Sequence, residues 1–341
     1  MTAAAVIGGA FLALLVMVDI LLTVLHPSVR GPMSHRIDSA TWSCVRALAR
    51  LSGRPRLLAH AGPAAVVTTV LAWILGLLVG FALIYVPYID GFARDGDIGF
   101  EGPAFVRSLY VSSVALTTVG FGDVVATTNP LRLATTAEAG AGLAAITAAI
   151  TYVLSLYPLI AVHRSTALRL NDLGLQDPDG AAAAAVAEDH SEIEAVAADL
   201  TELHQDLRRF AVLYYFDAHD DAENMPRLLQ GSLMLMLTLR WGLETDPASP
   251  RRLQAAALTT TLTRLMADFE EEYLGEAGDG DDEAGRRPLA AVRTAVAGLS
   301  ATSARAEDGE PPAELVELAA RAHTFMAQVA DTHLRDRPVW P

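Results

Sequence analysis

The chain has little charge and almost no cysteine, and each scarcity excludes a class of protein. Only 19% of its 341 residues are charged, and Cys44 is its single cysteine. One cysteine cannot form a disulfide framework or a cysteine-built zinc site. Lysine is absent, so all 25 basic residues are arginine, and the net charge is −15. Because this acidic chain has no basic run, we expect no nucleic-acid partner.

The charge is distributed unevenly along the chain. Residues 1–163 carry 9 arginines and 8 acids, whereas residues 164–341 carry 16 arginines and 32 acids. Three apolar runs, at about 5–25, 64–86 and 131–162, reach the length of roughly 20 residues that crosses a bilayer. The sequence therefore predicts three membrane spans, followed by an acidic domain.

The loops between these runs predict the orientation of the spans. Six arginines and one acid separate the first two runs, and the loop before the third run is acidic. Because basic loops remain in the cytoplasm, we expect the N-terminus outside and the acidic domain inside. A basic composition of arginine alone is typical of GC-rich bacterial genes, which favours a bacterial plasma membrane.

The basic loop contains an amphipathic pattern at residues 37–51. The residues that set this pattern are Ile37, Trp42, Val45, Arg46, Leu48, Arg50 and Leu51. Apolar residues opposite arginines are typical of a helix that lies on an anionic membrane surface. The sequence therefore predicts membrane lipid, anionic at this Arg-rich linker, as a partner.

A shorter apolar stretch before the third run ends in the sequence TTVGFGD at 117–123. Removing water from a cation requires a column of oxygens that replaces its hydration shell, and glycine permits the positive φ angles that align successive carbonyls. A half-length helix running into this motif between two spans resembles the pore loop of potassium channels. The resemblance implies a K⁺ selectivity filter formed by Thr118, Val119, Gly120, Phe121 and Gly122.

The resemblance covers roughly residues 62–163 and implies the fold. It predicts an all-α membrane protein with a potassium-channel pore module, which consists of an outer helix, pore helix, filter and inner helix. An extra N-terminal transmembrane helix and an all-α cytoplasmic domain complete the chain. One pore loop per chain implies a homotetramer with four-fold symmetry. The permeant K⁺ is the expected ion, with no organic cofactor.

Other positions are predicted to support the filter or to gate the pore. Phe121 replaces the commoner tyrosine, and Val114 stands where some prokaryotic relatives place a glutamate that pairs with the filter aspartate, so we expect Asp123 to lack that partner. Glu138 of the inner helix is a candidate replacement, within reach of pore-helix hydroxyls. The predicted filter-support residues are Tyr110, Thr117, Asp123 and Glu138, and the predicted inner-helix hinge and gate residues are Gly140, Gly142, Ile150 and Leu154.

Asp19 lies within the first span, where an acid is costly. One interpretation is an ion pair with a linker arginine such as Arg30 that ties the extra span to the pore. The other is a carboxylate that reaches the membrane surface.

The acidic half is predicted to be all-helical, with helices at about 226–243, 249–274, 288–304 and 312–334 and a loop at 275–285. Seven apolar residues from Ile193 to Tyr214 recur at spacings of three and four, which indicates either a coiled-coil seam or the core of a bundle. The predicted domains are a transmembrane helix at 1–29, a linker at 30–61, the pore at 62–163 and a cytoplasmic domain at 164–341.

These patterns together predict a potassium-selective channel whose cytoplasmic ligand is unknown. A less selective cation channel and a membrane-anchored sensor or scaffold with a non-conducting pore remain alternatives. No nucleophile–base pairing is visible in the sequence, so we do not expect an enzyme.

Overall fold

The chain is built almost entirely of helices, as the sequence predicts. The computed structural model describes residues 2–26, 31–94, 101–175, 190–217, 223–242, 250–274, 286, 288–290 and 311–333. The α-helices of the first half are α1 Thr2–Leu25, α2 Pro32–Ser52, α3 Ala61–Tyr85, α4 Ala104–Leu116 and α5 Asn129–Asp172. Two 3-10 helices, Pro55–His60 and Val86–Gly91, flank α3.

Among the described residues, three helical segments are long and apolar enough to cross a membrane. They comprise α1, α3 with its flanking 3-10 helices, and α5. The 13-residue α4 is about 20 Å long and can cross only part of a bilayer. The 44-residue α5 is about 66 Å long, so it extends well beyond the bilayer core.

Small residues allow α1 and α3 to approach each other closely. A Cβ atom at Gly9 would collide with the Gly80 carbonyl oxygen, and one at Gly76 would lie 2.7 Å from Val16 Cγ2. Interfaces between membrane helices favour such residues because backbones can then make direct van der Waals contact.

The first half of α2 packs through polar side chains rather than through an apolar face. Thr69 of α3 donates a hydrogen bond of 2.8 Å to the buried Asp38, and the Thr41 and Thr68 hydroxyls lie 2.9 Å apart. Trp42 is buried, whereas Leu48 and Leu51 are exposed. The helix is confirmed, but its apolar residues do not share one face: Trp42 packs inward, which the sequence pattern did not indicate.

The second half of the chain is an all-α bundle. Its α-helices are α6 His190–Arg209, α7 Met225–Leu237, α8 Pro250–Phe269 and α9 Ala313–Thr332. A 3-10 helix follows α6 at Ala211–Tyr215, and π-helices follow α7 and α8 at Thr238–Gly242 and Glu270–Leu274. Helix α7 is buried on nearly every side, which fits a sequence that is mostly apolar apart from Arg227, Gln230 and Ser232. The helices predicted at 226–243, 249–274 and 312–334 are confirmed, whereas 275–285 and most of 288–304 lie outside the described residues.

The apolar stripe that begins at Ile193 forms the bundle core. All seven residues of the stripe are at most 5% exposed: Ile193, Val196, Leu200, Leu203, Leu207, Phe210 and Tyr214. Helix α6 packs this stripe against α8 of the same chain. The face is therefore unavailable for a seam between four chains, which decides between the two interpretations in favour of the bundle.

The chain divides into two compact units. One contains residues 1–44 and 63–157, and the other contains residues 45–62 and 158–341. The second half of the linker and the end of α5 thus belong to the same unit as the acidic half of the chain. These divisions differ from the domain boundaries predicted at 29/30, 61/62 and 163/164, which stay a prediction.

Candidate ion-conducting site

The backbone of the TTVGFGD motif alternates in handedness. Among the described residues outside glycine, only Thr118 has a positive φ, at 57°, and Gly120 and Gly122 have φ angles of 56° and 78°. Val119 and Phe121 stand between them with negative φ. An alternation of φ of this kind is the backbone geometry that allows successive carbonyl groups to point to one side. The positive φ at both glycines is the geometry that the sequence predicts, whereas the strained Thr118 was not expected.

The motif faces away from the rest of its own chain. Thr117 and each predicted filter residue are exposed, and the side chains of Val119 and Phe121 are 54% and 69% exposed. Apolar side chains at this exposure have no packing partner within one chain. The arrangement fits a surface that other copies of the chain complete.

The inner end of the motif is fixed by the pore helix α4. The Thr117 amide donates to the Ser113 carbonyl at 3.1 Å, and the Thr118 amide donates to the Ala115 carbonyl at 3.0 Å. The Thr117 hydroxyl also donates to the Ser113 carbonyl, at 2.6 Å. These bonds occupy carbonyls that the end of α4 leaves without helical partners.

The outer end is held by Tyr110. Its hydroxyl donates a hydrogen bond of 2.5 Å to Asp123 Oδ2. The glutamate that the sequence lacks at Val114 is therefore replaced by a phenol one helical turn earlier in α4. Asp123 thus lacks the glutamate partner, as expected, and has Tyr110 as its partner instead; both residues were among the predicted filter supports.

Glu138 lies behind the motif and is fully buried. Its carboxylate accepts hydrogen bonds from the Ser112 hydroxyl and, at 2.7 Å, from the Tyr85 hydroxyl of α3. Ser112 is one of the partners that the sequence suggests. The other suggested hydroxyls bind elsewhere: Ser113 bonds to the Tyr110 carbonyl, Thr117 to the Ser113 carbonyl and Tyr110 to Asp123.

Sequence reasoning missed Tyr85. It is the last residue of α3 and 0% exposed, although it lies near the outer end of an apolar run, where an aromatic residue ordinarily marks the membrane surface. The sequence did offer one signal: the predicted spans place Tyr85 and Glu138 at similar depth in the membrane. Together Tyr85, Glu138 and Ser112 join the outer helix, the inner helix and the pore helix.

The two predicted hinge glycines have different surroundings. A Cβ atom at Gly142 would collide with the Leu116 carbonyl oxygen, whereas one at Gly140 would meet nothing within 4 Å. Gly142 therefore permits α5 to pass close to the end of the pore helix. Helix α5 is continuous through both positions, and the hinge stays a prediction.

The predicted gate residues lie on an exposed stripe of α5. Ile150 is 56% exposed and Leu154 is 67% exposed, and Leu143 and Tyr157 continue the stripe. Pro158 follows inside the same helix. Because proline has no amide hydrogen, it cannot donate a helical hydrogen bond to the Leu154 carbonyl.

The end of α5 is linked to α6 by charged and polar pairs. Arg169 contacts Glu192 at 2.6 Å and Asp199 at 3.1 Å, and His163 Nε2 lies 3.2 Å from Asp206 Oδ2. Burial raises the pKa values of Asp199 and Asp206. The nearby charge of Arg169 partly offsets this rise for Asp199, and the charge of Arg209 partly offsets it for Asp206. No group of three His, Cys, Asp or Glu side chains suited to a metal occurs in the described part of the chain.

Comparison with known proteins agrees with this geometry. Residues 67–157, which contain α4, the TTVGFGD motif and most of α5, match the family Ion_trans_2, described as an ion channel family. An uncharacterized membrane protein, YdjJ of Bacillus subtilis (strain 168), is 26% identical over 225 residues, covering 64% of this chain and 64% of that protein. The match thus spans less than two thirds of that relative. No solved structure matches the chain.

These findings define the protein at a coarse level. It is an all-α, multi-pass membrane protein with an ion-channel pore region, an additional N-terminal membrane helix and a helical domain after the pore. The family match supports an ion channel and points to a transport protein, and it is consistent with an oligomeric assembly in a membrane.

Proposed function

We propose that this protein is a potassium-selective channel that conducts K⁺ passively across a bacterial plasma membrane. The observation that carries the proposal is the alternating backbone of residues 118–122, with positive φ at Thr118, Gly120 and Gly122. A column of carbonyls aligned in this way replaces the hydration shell of a monovalent cation. The permeant ion K⁺ is then the only cofactor that the site needs.

A ring of carbonyls requires four copies of the motif, because each chain supplies one strand. The exposed Val119 and Phe121 side chains would be covered in a homotetramer with four-fold symmetry. Native mass spectrometry of the detergent-solubilised protein should therefore give the mass of four chains. A monomer or dimer under conditions that retain K⁺ flux would contradict this assembly.

The test of conduction is flux into liposomes that contain the purified full chain. Reversal potentials with K⁺ on one side and Na⁺ on the other should follow the K⁺ gradient. A reversal potential near zero would indicate a less selective cation channel. An absence of K⁺ flux, also after removal of residues 175–341, would indicate a sensor or scaffold with a non-conducting pore.

We place the constriction below the filter at Ile150 and Leu154. They lie one helical turn apart on the exposed stripe of α5, and an apolar ring can close a pore by excluding water. Substituting aspartate at either position should wet this ring and increase the open probability in single-channel recordings. Unchanged gating in both variants would place the gate elsewhere.

The Arg-rich linker is proposed to lie on anionic lipid at the cytoplasmic surface, with the N-terminus outside and residues 164–341 inside. Leu48 and Leu51 are 58% and 88% exposed, and Arg50, Arg54 and Arg56 are exposed beside them. Exposed leucines between arginines suit the boundary between acyl chains and anionic headgroups. Flux in vesicles of phosphatidylglycerol should exceed flux in vesicles of phosphatidylcholine, and this difference should shrink when the three arginines are replaced by glutamine.

A further inference from the structure

A short β-ladder lies directly outside the filter. Strands β1 Phe92–Arg94 and β2 Val124–Ala126 pair antiparallel, with Phe92 opposite Ala126, Ala93 opposite Val125 and Arg94 opposite Val124. The ladder is extended by Thr127, whose amide and hydroxyl both donate to the Gly91 carbonyl, at 3.1 and 2.6 Å. No strand is predicted here from the sequence, because each strand is only three residues long.

Both strands join elements that surround the filter. Strand β2 begins at Val124, the residue after Asp123, and β1 follows the 3-10 helix at the end of α3. A buried apolar cluster lies beneath the ladder and contains Tyr85, Ile89, Phe92, Val111 and Leu131. The ladder therefore connects the filter to a packed core that includes residues of α3, α4 and α5.

The filter needs such a connection because its backbone is strained. A non-glycine residue in the left-handed region, such as Thr118, costs free energy and persists only when its surroundings fix it. The inner end of the filter is fixed by three hydrogen bonds to α4. At the outer end, the Tyr110 contact holds one carboxylate oxygen of Asp123, but a side-chain bond leaves the direction of the following backbone free.

We infer that the β1–β2 ladder is a positioning device for the filter, which holds the outer end of residues 118–122 in the carbonyl-aligned conformation. This inference rests on the proposed function. The ladder fixes the backbone direction at Val124, and Tyr110 fixes the side chain at Asp123. Without the ladder, the filter would adopt other backbone conformations for a larger fraction of the time, and these would conduct poorly.

When the ladder is broken, we expect conduction to depend more strongly on the K⁺ concentration. Ions that bind only the aligned filter stabilise it by mass action. A variant without the ladder should therefore lose more flux at low K⁺ than at high K⁺. A uniform loss at all K⁺ concentrations would contradict the inference.

Ala93 offers a clean way to break the ladder. Because pairs in an antiparallel ladder alternate and the Gly91–Thr127 pair is hydrogen-bonded, the Ala93–Val125 pair is the next bonded pair. Ala93 is exposed, so a proline ring has room there. Proline removes the amide hydrogen and fixes φ near −65°, and the extended backbone of Phe92, with φ −103° and ψ 117°, already suits a following proline. Ala93→Ser is the matched control, because serine occupies the same exposed position and keeps this hydrogen.

The experiment compares K⁺ flux into liposomes for the full-length chain with Ala93→Pro and with Ala93→Ser. Since one backbone hydrogen bond stabilises by about 1 kcal/mol, we expect at least about fivefold lower flux for Ala93→Pro at a few millimolar K⁺. The loss should shrink towards the Ala93→Ser value at high K⁺. Equal flux of the two variants at low K⁺ would overturn the inference.

Thr127 provides a second, independent variant. Thr127→Val removes the hydroxyl that donates to the Gly91 carbonyl, whereas Thr127→Ser keeps it. We expect the valine variant to show the same K⁺-dependent loss, and the serine variant to restore the wild-type flux. Indistinguishable valine and serine variants would overturn the role of this contact.

Hydrogen exchange separates failure of the inference from failure of the proposed function. Amides 117–123 should exchange faster in Ala93→Pro than in Ala93→Ser, while amides in the middle of α3 exchange equally. If the wild-type chain carries no K⁺ flux, the proposed function is wrong, and exchange alone then decides the role of the ladder. Equal exchange of amides 117–123 in both variants would overturn that role.

Discussion

The indole nitrogen of Trp73 in α3 donates a hydrogen bond of 2.9 Å to the carboxylate of Asp19 in α1. Asp19 also accepts from the backbone amides of Met33, at 2.8 Å, and Ser34, and from the Ser34 hydroxyl. The carboxylate thus satisfies the amides at the N-terminus of α2, where a negative charge is favoured. The ring of Trp73 lies 6.0 Å from that of Tyr152 in α5. The Asp19 carboxylate therefore links α1 and the start of α2 to α3, and Trp73 extends this link to α5.

Trp73→Phe should destabilise the protein by about 1–3 kcal/mol, because it leaves a buried carboxylate with one hydrogen bond fewer. The measurement is the unfolding midpoint in mixed micelles, followed by circular dichroism. Leu75→Ala, at a residue on α3 that is 55% exposed, is the control and should shift the midpoint less. Equal midpoints for Trp73→Phe and the wild type would contradict a stabilising role of this bond.

The role of Asp19 illustrates where sequence reasoning stopped. Its cost in an apolar run was evident, and an attachment of the extra span to the pore was one of two interpretations. The attachment is confirmed, but the partners are not those expected: the donors come from α2 and α3, while Arg30 lies outside the described residues. Such a site combines three elements that are distant in sequence, and no local pattern marks the tryptophan as a donor.

Gly120→Ala and Gly122→Ala should each abolish K⁺ flux while the proposed tetramer still assembles. Each substitution places a side chain at positive φ, which costs roughly 1–2 kcal/mol per chain and is repeated in every chain of the proposed tetramer. Flux is measured in liposomes, and assembly is measured by size-exclusion chromatography. The control is Gly8→Ala, where a Cβ atom meets nothing within 4 Å. Normal K⁺ currents from either filter variant would refute the filter assignment.

Tyr85→Phe tests the carboxylate behind the filter. The change removes the 2.7 Å hydrogen bond to Glu138 and leaves the Ser112 hydroxyl as its remaining donor in the structure. We expect a loss of about 1–3 kcal/mol in stability and a lower K⁺ flux, because the helices behind the filter are less firmly joined. Tyr88→Phe, at a residue that is 52% exposed, should change neither quantity. Equal effects of the two substitutions would contradict a supporting role for Glu138.

The helical pattern of the acidic half was predictable, whereas the partner that covers its apolar stripe was not. Apolar spacing from Ile193 onward indicated a buried stripe, but the same spacing serves a coiled coil and a bundle. The choice depends on whether α8 or another chain covers the stripe, which is a tertiary contact. The predicted helix also ends earlier than the pattern, at Arg209. The chain then forms a 3-10 helix, and Tyr214 is buried as part of that element rather than as a continuation of the α-helix.

Asp206→Asn should change how the stability of the bundle depends on pH. Burial raises the pKa of Asp206, so the folded protein holds this proton more tightly than the unfolded chain. The charged carboxylate therefore disfavours folding at neutral pH, and this penalty disappears as the pH falls through the raised pKa. Asparagine can still accept the 3.2 Å hydrogen bond from His163.

We expect a gain in stability of less than about 1 kcal/mol for Asp206→Asn at pH 7, because partial solvent access screens the charge. The gain should diminish towards pH 4. Thermal unfolding of the full chain in micelles at both pH values measures it, with the exposed Glu317→Gln on α9 as control. A gain that grows towards acidic pH would show that the sign is wrong.

The start of α3 and the end of α5 both contact one buried segment of the bundle, Ala211–Asp217. A Cβ atom at Gly62 would lie 2.5 Å from the Phe216 ring. Phe216 and Leu213 also line a cavity of about 30 Å³ together with Ile160 and His163 of α5. A movement of this segment would therefore displace the start of α3 and the end of α5. We expect channel gating to respond to such a movement.

Gly62→Val and Phe216→Ala should each change the open probability in single-channel recordings, because the first displaces the aromatic ring and the second removes it. Residues in direct contact do not act additively, so Gly62→Val should have little further effect once Phe216 is alanine. Gly8→Val, at a position with open space around it, controls for adding the same side chain elsewhere. Additive effects would contradict an action of both residues through their mutual contact. An open probability that neither variant alters would reduce the acidic domain to an assembly element without influence on gating.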